Sequence, residues 1–218
     1  MRVVGEAWSG SVRVARMKTS ILKVGEESLE KAAGIVRGGG LVIYPTDTVY
    51  GLGCDPFNSS AVERLLSVKG RVDKPLPILV GSLQDAKSLA ELPAVARRVA
   101  ERYWPGALTL VLKSKVNIPN VKLDTVGLRV PKHRVALELI RLCGGRLVGT
   151  SANISGRPPP LTAEEAAGQL GERVDLILDG GRAPLGLSST VLDLSGDRPR
   201  ILRAGPIDSG ELLRSLHA

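Results

Sequence analysis

Rings are scarce in this 218-residue chain, with two Trp, three Tyr and one Phe. Proteins that hold single-stranded nucleic acid stack bases on several exposed rings. Tyr44 sits in an apolar run that reads as buried, so a sequence-reading RNA module is disfavoured. Cysteine and histidine are equally rare, at two each. Cys54 and Cys143 lie far apart, without a CxxC pattern or a His companion. That spacing supports neither a metal site nor a disulfide framework and fits free thiols in a reducing, cytoplasmic compartment. His133 and His217 neighbour no obvious nucleophile, so a Ser-His-Asp arrangement is not legible. No apolar run approaches the roughly 20 residues needed to span a bilayer. The opening MRVVGEAWSGSVRVARMK has neither the apolar core nor the cleavage site of a secretory leader.

What is present suits a globular protein with an anionic partner. The chain is 43% hydrophobic and 24% charged, enough to bury a sizeable core. Its net charge of +8 and pI near 9.8 favour nucleotide, polyphosphate or nucleic acid. Abundant Arg with few Asn, Gln, Met and Cys is also the surface of a heat-adapted protein. Residues 1–16 form a basic lead without clear periodicity, and residues 17–218 read as one domain without repeat or linker.

The chain is organised around Leu41–Gly53, LVIYPTDTVYGLG. A short apolar run bounded by Gly and Pro predicts a buried strand, and Pro45 should end it. Thr46, Asp47 and Thr48 then place two hydroxyls and a carboxylate at a strand end, where open α/β sheets bind ligands. The alternative is a local turn whose side chains bond their own backbone. Gly38–Gly40 precede the strand rather than follow it, so they are not a phosphate loop. Around this stretch, a helix capped by Ser28 is expected to reach Arg37, and others over 59–68, 83–89, 95–103, 135–142, 163–170 and 209–216. Strands are expected at 21–24, 78–80, 108–112, 126–131, 146–153, 174–178, 191–194 and 200–205. This alternation predicts an α/β fold with a mixed parallel and antiparallel sheet flanked by helices.

Two features carry charge into this frame. Lys69, Arg71 and Lys74 fall within six positions, separated by Gly70 and followed by Pro75. An Arg fork and a Lys point charge suit a polyphosphate, whereas simple complementation of a helix dipole accounts for Lys69 alone. Arg129 lies in an apolar strand, so it either pairs with a carboxylate or points at a ligand. With few carboxylates standing out besides Asp47 and Asp124, chemistry should rest on positioning and charge stabilisation, as in nucleotidyl or phosphoryl transfer.

Several motifs in order then resemble the YrdC family of threonylcarbamoyl-AMP synthases: PTDTVYGLG (45–53), Lys69-x-Arg71 with Lys74-Pro75-Leu76, WPG-x-LT (104–109), VGLRVP (126–131), TSANISG (150–156), SSTVLDL (188–194) and ILRAG (201–205). The resemblance covers roughly residues 20 to 206. It implies a twisted mixed α/β sheet with an open basic cavity, and synthesis of threonylcarbamoyl-AMP and pyrophosphate from L-threonine, bicarbonate or CO2, and ATP. The group is destined for tRNA, through a downstream tRNA threonylcarbamoyl transferase complex. Contact with tRNA or double-stranded RNA is left open. By the same resemblance Thr48, Arg129, Ser151 and Ser189 hold L-threonine, and Lys69 and Arg71 take the nucleotide phosphates as the catalytic pair. Lys74, Thr125, Thr150, Asn153 and Arg203 complete the ATP contacts, and Mg2+ accompanies ATP without a legible ligand set. Leu79 stands where the family often has His, so part of the threonine pocket is expected to differ. The rival readings are a carbamoyl-adenylating enzyme and a non-catalytic RNA-binding protein.

Overall fold

The structure, a computed structural model, describes residues 19–70, 75–121 and 124–216. The basic lead at 1–16, Arg71, Lys74 and His217 fall outside these residues. Strand β1 (Ser20–Lys23) leads into α1 (Glu26–Arg37), which buries Leu29, Ala32, Ala33 and Val36 on one face. The helix starts earlier than Ser28, at a Gly25 cap. Ser28 occupies the third helical position, and its hydroxyl accepts from the Gly25 N–H at 2.9 Å. It therefore satisfies an orphan donor from inside the helix rather than before it.

Strand β2 (Val42–Tyr44) is fully buried, and β3 (Gly51–Gly53) folds back on it antiparallel. Helix α2 (Ser59–Lys69) opens on Asn58, whose side chain accepts from Ala61 N–H, and closes on Gly70 at φ 62°. A left-handed cap of that kind favours glycine. Next come β4 (Ile78–Val80), α3 (Leu83–Leu89), α4 (Ala94–Tyr103), β5 (Leu108–Lys113) and β6 (Thr125–Arg129). The remainder is α5 (Arg134–Leu142), β7 (Arg146–Val148), β8 (Thr150–Ser151), α6 (Ala163–Leu170), β9 (Leu176–Asp179), β10 (Thr190–Asp193), β11 (Arg200–Arg203) and α7 (Ser209–Arg214).

The strands form two mixed sheets, ordered β1-β9-β2-β3-β8 and β11-β10-β5-β6-β4-β7. The α/β class and mixed pairing agree with the sequence, but the expected strand at 146–153 is cut in two. Strand β7 pairs antiparallel with β4, while β8 pairs antiparallel with β3 in the other sheet. Gly149 is the crossing point. A Cβ there would lie 2.3 Å from Leu79 Cγ, so the chain passes this close to β4 only without a side chain.

Three apolar clusters explain why β2 is a continuous hydrophobic run rather than an alternating one. Ile43 packs with Val62, Leu65, Ala163 and Ala166 of α2 and α6. Val42 and Tyr44 face the other way, with Ala32 and Val36 of α1 and Leu139 and Ile140 of α5. A strand covered on both faces has no reason to alternate. The third cluster places Leu108, Leu110 and Leu128 against Ala96, Val99 and Leu212 of α4 and α7.

Candidate functional site

Side chains on a strand alternate between faces, and the central strands of the six-stranded sheet use this to line a cavity. Leu108, Leu110 and Leu112 enter the core, leaving Thr109 and Val111 on the opposite face. Likewise Val126 and Leu128 are core, while Gly127 and Arg129 face outward. The register aligns Thr109 with Val191 and Val111 with Gly127. These residues floor a cavity of about 200 Å3. The five-stranded sheet supplies the facing wall through Gly51, Thr150 and Ser151, with Gly51 and Ser151 paired across β3 and β8. Thr46, Thr48 and Tyr50 complete that side.

Arg129 is the buried charge of this site. Its Nη2 donates to Asp47 Oδ1 at 2.5 Å, Nη1 to Thr48 Oγ1 at 2.8 Å, and Nε to the Gly106 carbonyl at 2.8 Å. Burial pulls the guanidinium below its ordinary pKa, and Asp47 opposes that shift. Of the two alternatives raised by the sequence, the structure shows the pairing with a carboxylate, and Arg129 also lines the cavity. A guanidinium has five N–H donors, so these three bonds leave one on each terminal nitrogen for a ligand. The turn reading is correct for Thr46, whose Oγ1 donates to the Val49 carbonyl at 2.6 Å and accepts from Thr48 N–H at 3.1 Å. Thr46 shapes the loop, and Thr48 and Asp47 hold Arg129.

A second polar group also lines the cavity. Arg203 donates through Nε to the Ser189 carbonyl at 2.9 Å and through Nη2 to Ser189 Oγ at 3.1 Å. Ser189 Oγ also lies 2.8 Å from Thr109 Oγ1. Among the described residues the charged side chains lining the cavity are Arg129 and Arg203, which favours an anionic ligand.

Six expected site residues meet here: Thr48, Arg129, Thr150, Ser151, Ser189 and Arg203. Three described ones do not line the cavity. Thr125 is paired with Lys113 at the far end of β6 from Arg129. Asn153 lies behind the wall, its Nδ2 donating to the carbonyls of Ile154 and Arg157 at 3.0 and 2.7 Å. Lys69, 0% exposed, turns its ammonium from the α2 terminus onto the carbonyls of Ser151 and Asn153. Its lodging in another segment is not what helix-dipole complementation predicts. Thr109 and Gly127 were missed as site residues. Both sit in quoted motifs at alternate strand positions, and that period-two spacing was the available signal. Leu79 does not itself line the cavity, but it pairs with Arg129 on the cavity-bearing face of the sheet and packs behind the lining Gly149, with Tyr44, Leu139 and Leu147 around it.

The described residues supply no protein cage for a magnesium ion. Among the described residues no three of His, Cys, Asp and Glu cluster, and no carboxylate lines the cavity. Mg2+ prefers one or two carboxylates with phosphates and water, and the lining hydroxyls do not supply that set. Among the same residues no helix is long and apolar enough to cross a membrane.

Comparison with known proteins places this geometry. A family model for Sua5, YciO and YrdC, described as Telomere recombination, matches residues 34–205. A putative threonylcarbamoyl-AMP synthase of Mycobacterium tuberculosis is 46% identical over 193 residues, covering 85% of this chain and 87% of its own. The threonylcarbamoyl-AMP synthase of Bacillus subtilis is 38% identical over 200 residues, covering 89% of this chain and 58% of its own. The crystal structure of Pyrococcus abyssi Sua5 complexed with L-threonine superposes with a TM-score of 0.87 at 41% identity, over 90% of this chain and 61% of that one. The chain thus spans about three fifths of those last two proteins and most of the first.

Proposed function

Because this chain belongs to the Sua5/YciO/YrdC family, we propose that it is an L-threonylcarbamoyladenylate synthase, making threonylcarbamoyl-AMP and pyrophosphate from L-threonine, bicarbonate or CO2, and ATP. The observation that carries this reading is the buried Arg129, held by Asp47 and Thr48, facing a cavity walled by Thr150, Ser151 and Ser189. An Arg fork grips a carboxylate bidentately, and hydroxyl-lined sites reject analogues lacking the matching hydroxyl. Both are what a small hydroxylated amino acid requires.

In this reading Arg129 takes the carboxylate and Thr48, Ser151 and Ser189 surround the amino acid. The threonine ammonium gives up two protons to water, one to free its lone pair and one as the nitrogen bonds the carbon of CO2, giving a carbamate. A carbamate oxygen attacks the α-phosphorus of ATP, the bond to the β-phosphate oxygen breaks, and pyrophosphate leaves. Arg203 in the cavity lining neutralises charge on the nucleotide, with Arg71 and Lys74 assigned there by resemblance. Mg2+ is implied by the resemblance alone, and no described residue lining the cavity would hold it. The product then passes to a tRNA threonylcarbamoyl transferase complex in the cytoplasm, and the basic surface is offered to tRNA.

Pyrophosphate release from ATP and bicarbonate tests the proposal, with L-threonine compared against L-serine, L-valine and no amino acid. Threonine-dependent release is expected. Release driven by carbamoyl phosphate instead would reassign the chain to carbamoyl adenylation, and no turnover with any donor would sink the enzymatic reading.

A further inference from the structure

Lys69 is a fully buried cation, and an ammonium withdrawn from water must be met by oxygen acceptors. Those acceptors include the Ser151 carbonyl, the Asn153 carbonyl at 2.7 Å and Asn153 Oδ1 at 3.3 Å. The last residue of α2 is therefore fastened to the strand end that carries Ser151 into the cavity wall. Ser155 adds a return contact, its Oγ donating to the Lys69 carbonyl at 2.8 Å.

Counting donors fixes the direction of the hydrogen bonds. Asn153 Nδ2 donates to two carbonyls, so its Oδ1 must be the atom turned toward Lys69 and Ser151. An amide flip would aim an NH2 group at an ammonium, which the geometry forbids. Ser151 Oγ lies 2.5 Å from that Oδ1 and can only donate to it. Its single proton is thus engaged within the wall, and its lone pairs are left to face the cavity.

We propose that Lys69 is a positioning residue for the amino-acid substrate: by holding the Ser151 and Asn153 oxygens, it sets Ser151 Oγ as a hydrogen-bond acceptor before any nucleotide arrives. The ligand chemistry that fits is a donor, namely the amine or hydroxyl of L-threonine. The inference rests on the threonine-binding reading above and assigns Lys69 to the amino-acid side of the site, where the motif resemblance assigns it to phosphate.

The test separates the two ligands. The Kd of L-threonine without nucleotide, and of a non-hydrolysable ATP analogue alone, are measured by calorimetry on wild type and Lys69→Met. The variant is expected to weaken L-threonine binding by about tenfold or more, the scale of one charge-assisted hydrogen bond. The analogue's Kd should change less than about threefold, well under the loss of such a bond. A smaller loss for L-threonine, or equal losses for both ligands, overturns the proposal. Should Lys69→Met fail to fold, acylation of wild type with an amine-reactive ester decides. Lys69 is expected to react far more slowly than the exposed Lys113, and labelling at the rate of Lys113 overturns the clamp. Wild-type protein that ignores L-threonine refutes the functional reading itself, and with it this role.

Discussion

Arg129 illustrates how a single residue carries both fold and site. Its guanidinium makes three directed bonds, to Asp47, Thr48 and Gly106, from a buried position. Lysine keeps the charge but not the planar fork. Arg129→Lys is therefore expected to raise the KM for L-threonine by about tenfold or more, the scale of one hydrogen bond to a charged group, with KM for ATP little changed. Steady-state kinetics in each substrate reads this split, and an unchanged threonine KM would remove Arg129 from carboxylate binding. Arg129→Ala should also cost about 3–5 kcal/mol of stability, because it strands Asp47 as an unpaired buried charge. His133 offers a second prediction at this scale. Its Nδ1 is the buried side-chain polar atom without a hydrogen-bond partner among the described residues. Burial holds its pKa below the ordinary 6.5, with Asp47 opposing. Below 6.5 the unfolded chain takes up a proton that the folded chain resists, so stability falls as pH drops toward the folded pKa and is complete above 6.5. Melting temperatures between pH 7.5 and 5 should fall less steeply for His133→Asn than for wild type, and equal slopes would refute the assignment. The charged strand residue was legible in the sequence because an apolar run cannot ignore a cation. The partner was not, since Asp47 is 82 positions away.

At the scale of elements, helix positions were legible, but the one cap read from the sequence, Ser28, lies inside α1, and contacts between segments did not show. Asn58, Ser82, Thr162 and Asp208 cap α2, α3, α6 and α7 through their side chains. Such caps are properties of four adjacent residues, so these four were available in the sequence, although only Ser28 was read as one. The division of 146–153 into β7 and β8 is not local. It follows from Gly149 meeting Leu79, a residue 70 positions earlier, and an apolar run followed by TSAN reads as one strand until that contact is known. The same contact gives a prediction. Gly149→Ala places a methyl 2.3 Å from Leu79 Cγ and is expected to cost about 1–3 kcal/mol through overpacking. Leu79→Ala alone should also destabilise by about 2–5 kcal/mol, because its side chain is buried in the cluster with Tyr44 and Leu147. In the double variant the alanine methyl enters the space Leu79 vacates, so the combined loss should fall short of the sum. Urea denaturation of all three proteins measures this, and strict additivity would show that the crossing tolerates a side chain.

At the scale of the whole molecule, the cavity belongs to neither sheet alone. Thr109, Gly127, Arg129 and Val191 come from one sheet, and Gly51, Thr150 and Ser151 from the other. The motifs were each visible in the sequence, but that alternate positions of separate strands face one another across a gap is a fact of topology. A ligand in that gap touches both sheets, so its binding free energy appears as stability of the whole fold. Linkage sets the size of the effect: at 100 times its Kd, a ligand that binds only the folded state adds about 2.7 kcal/mol. For a chain of this length each kcal/mol moves the melting temperature by about 2–4 °C, so saturating L-threonine should raise it by about 5–10 °C. L-Valine, which is nearly isosteric but replaces the hydroxyl with a methyl, leaves cavity hydroxyls unmatched and should raise it far less at equal concentration. Thermal unfolding with each amino acid decides the point. Equal shifts for threonine and valine would mean that the polar walls do not read the hydroxyl, and that the cavity selects by shape and carboxylate alone.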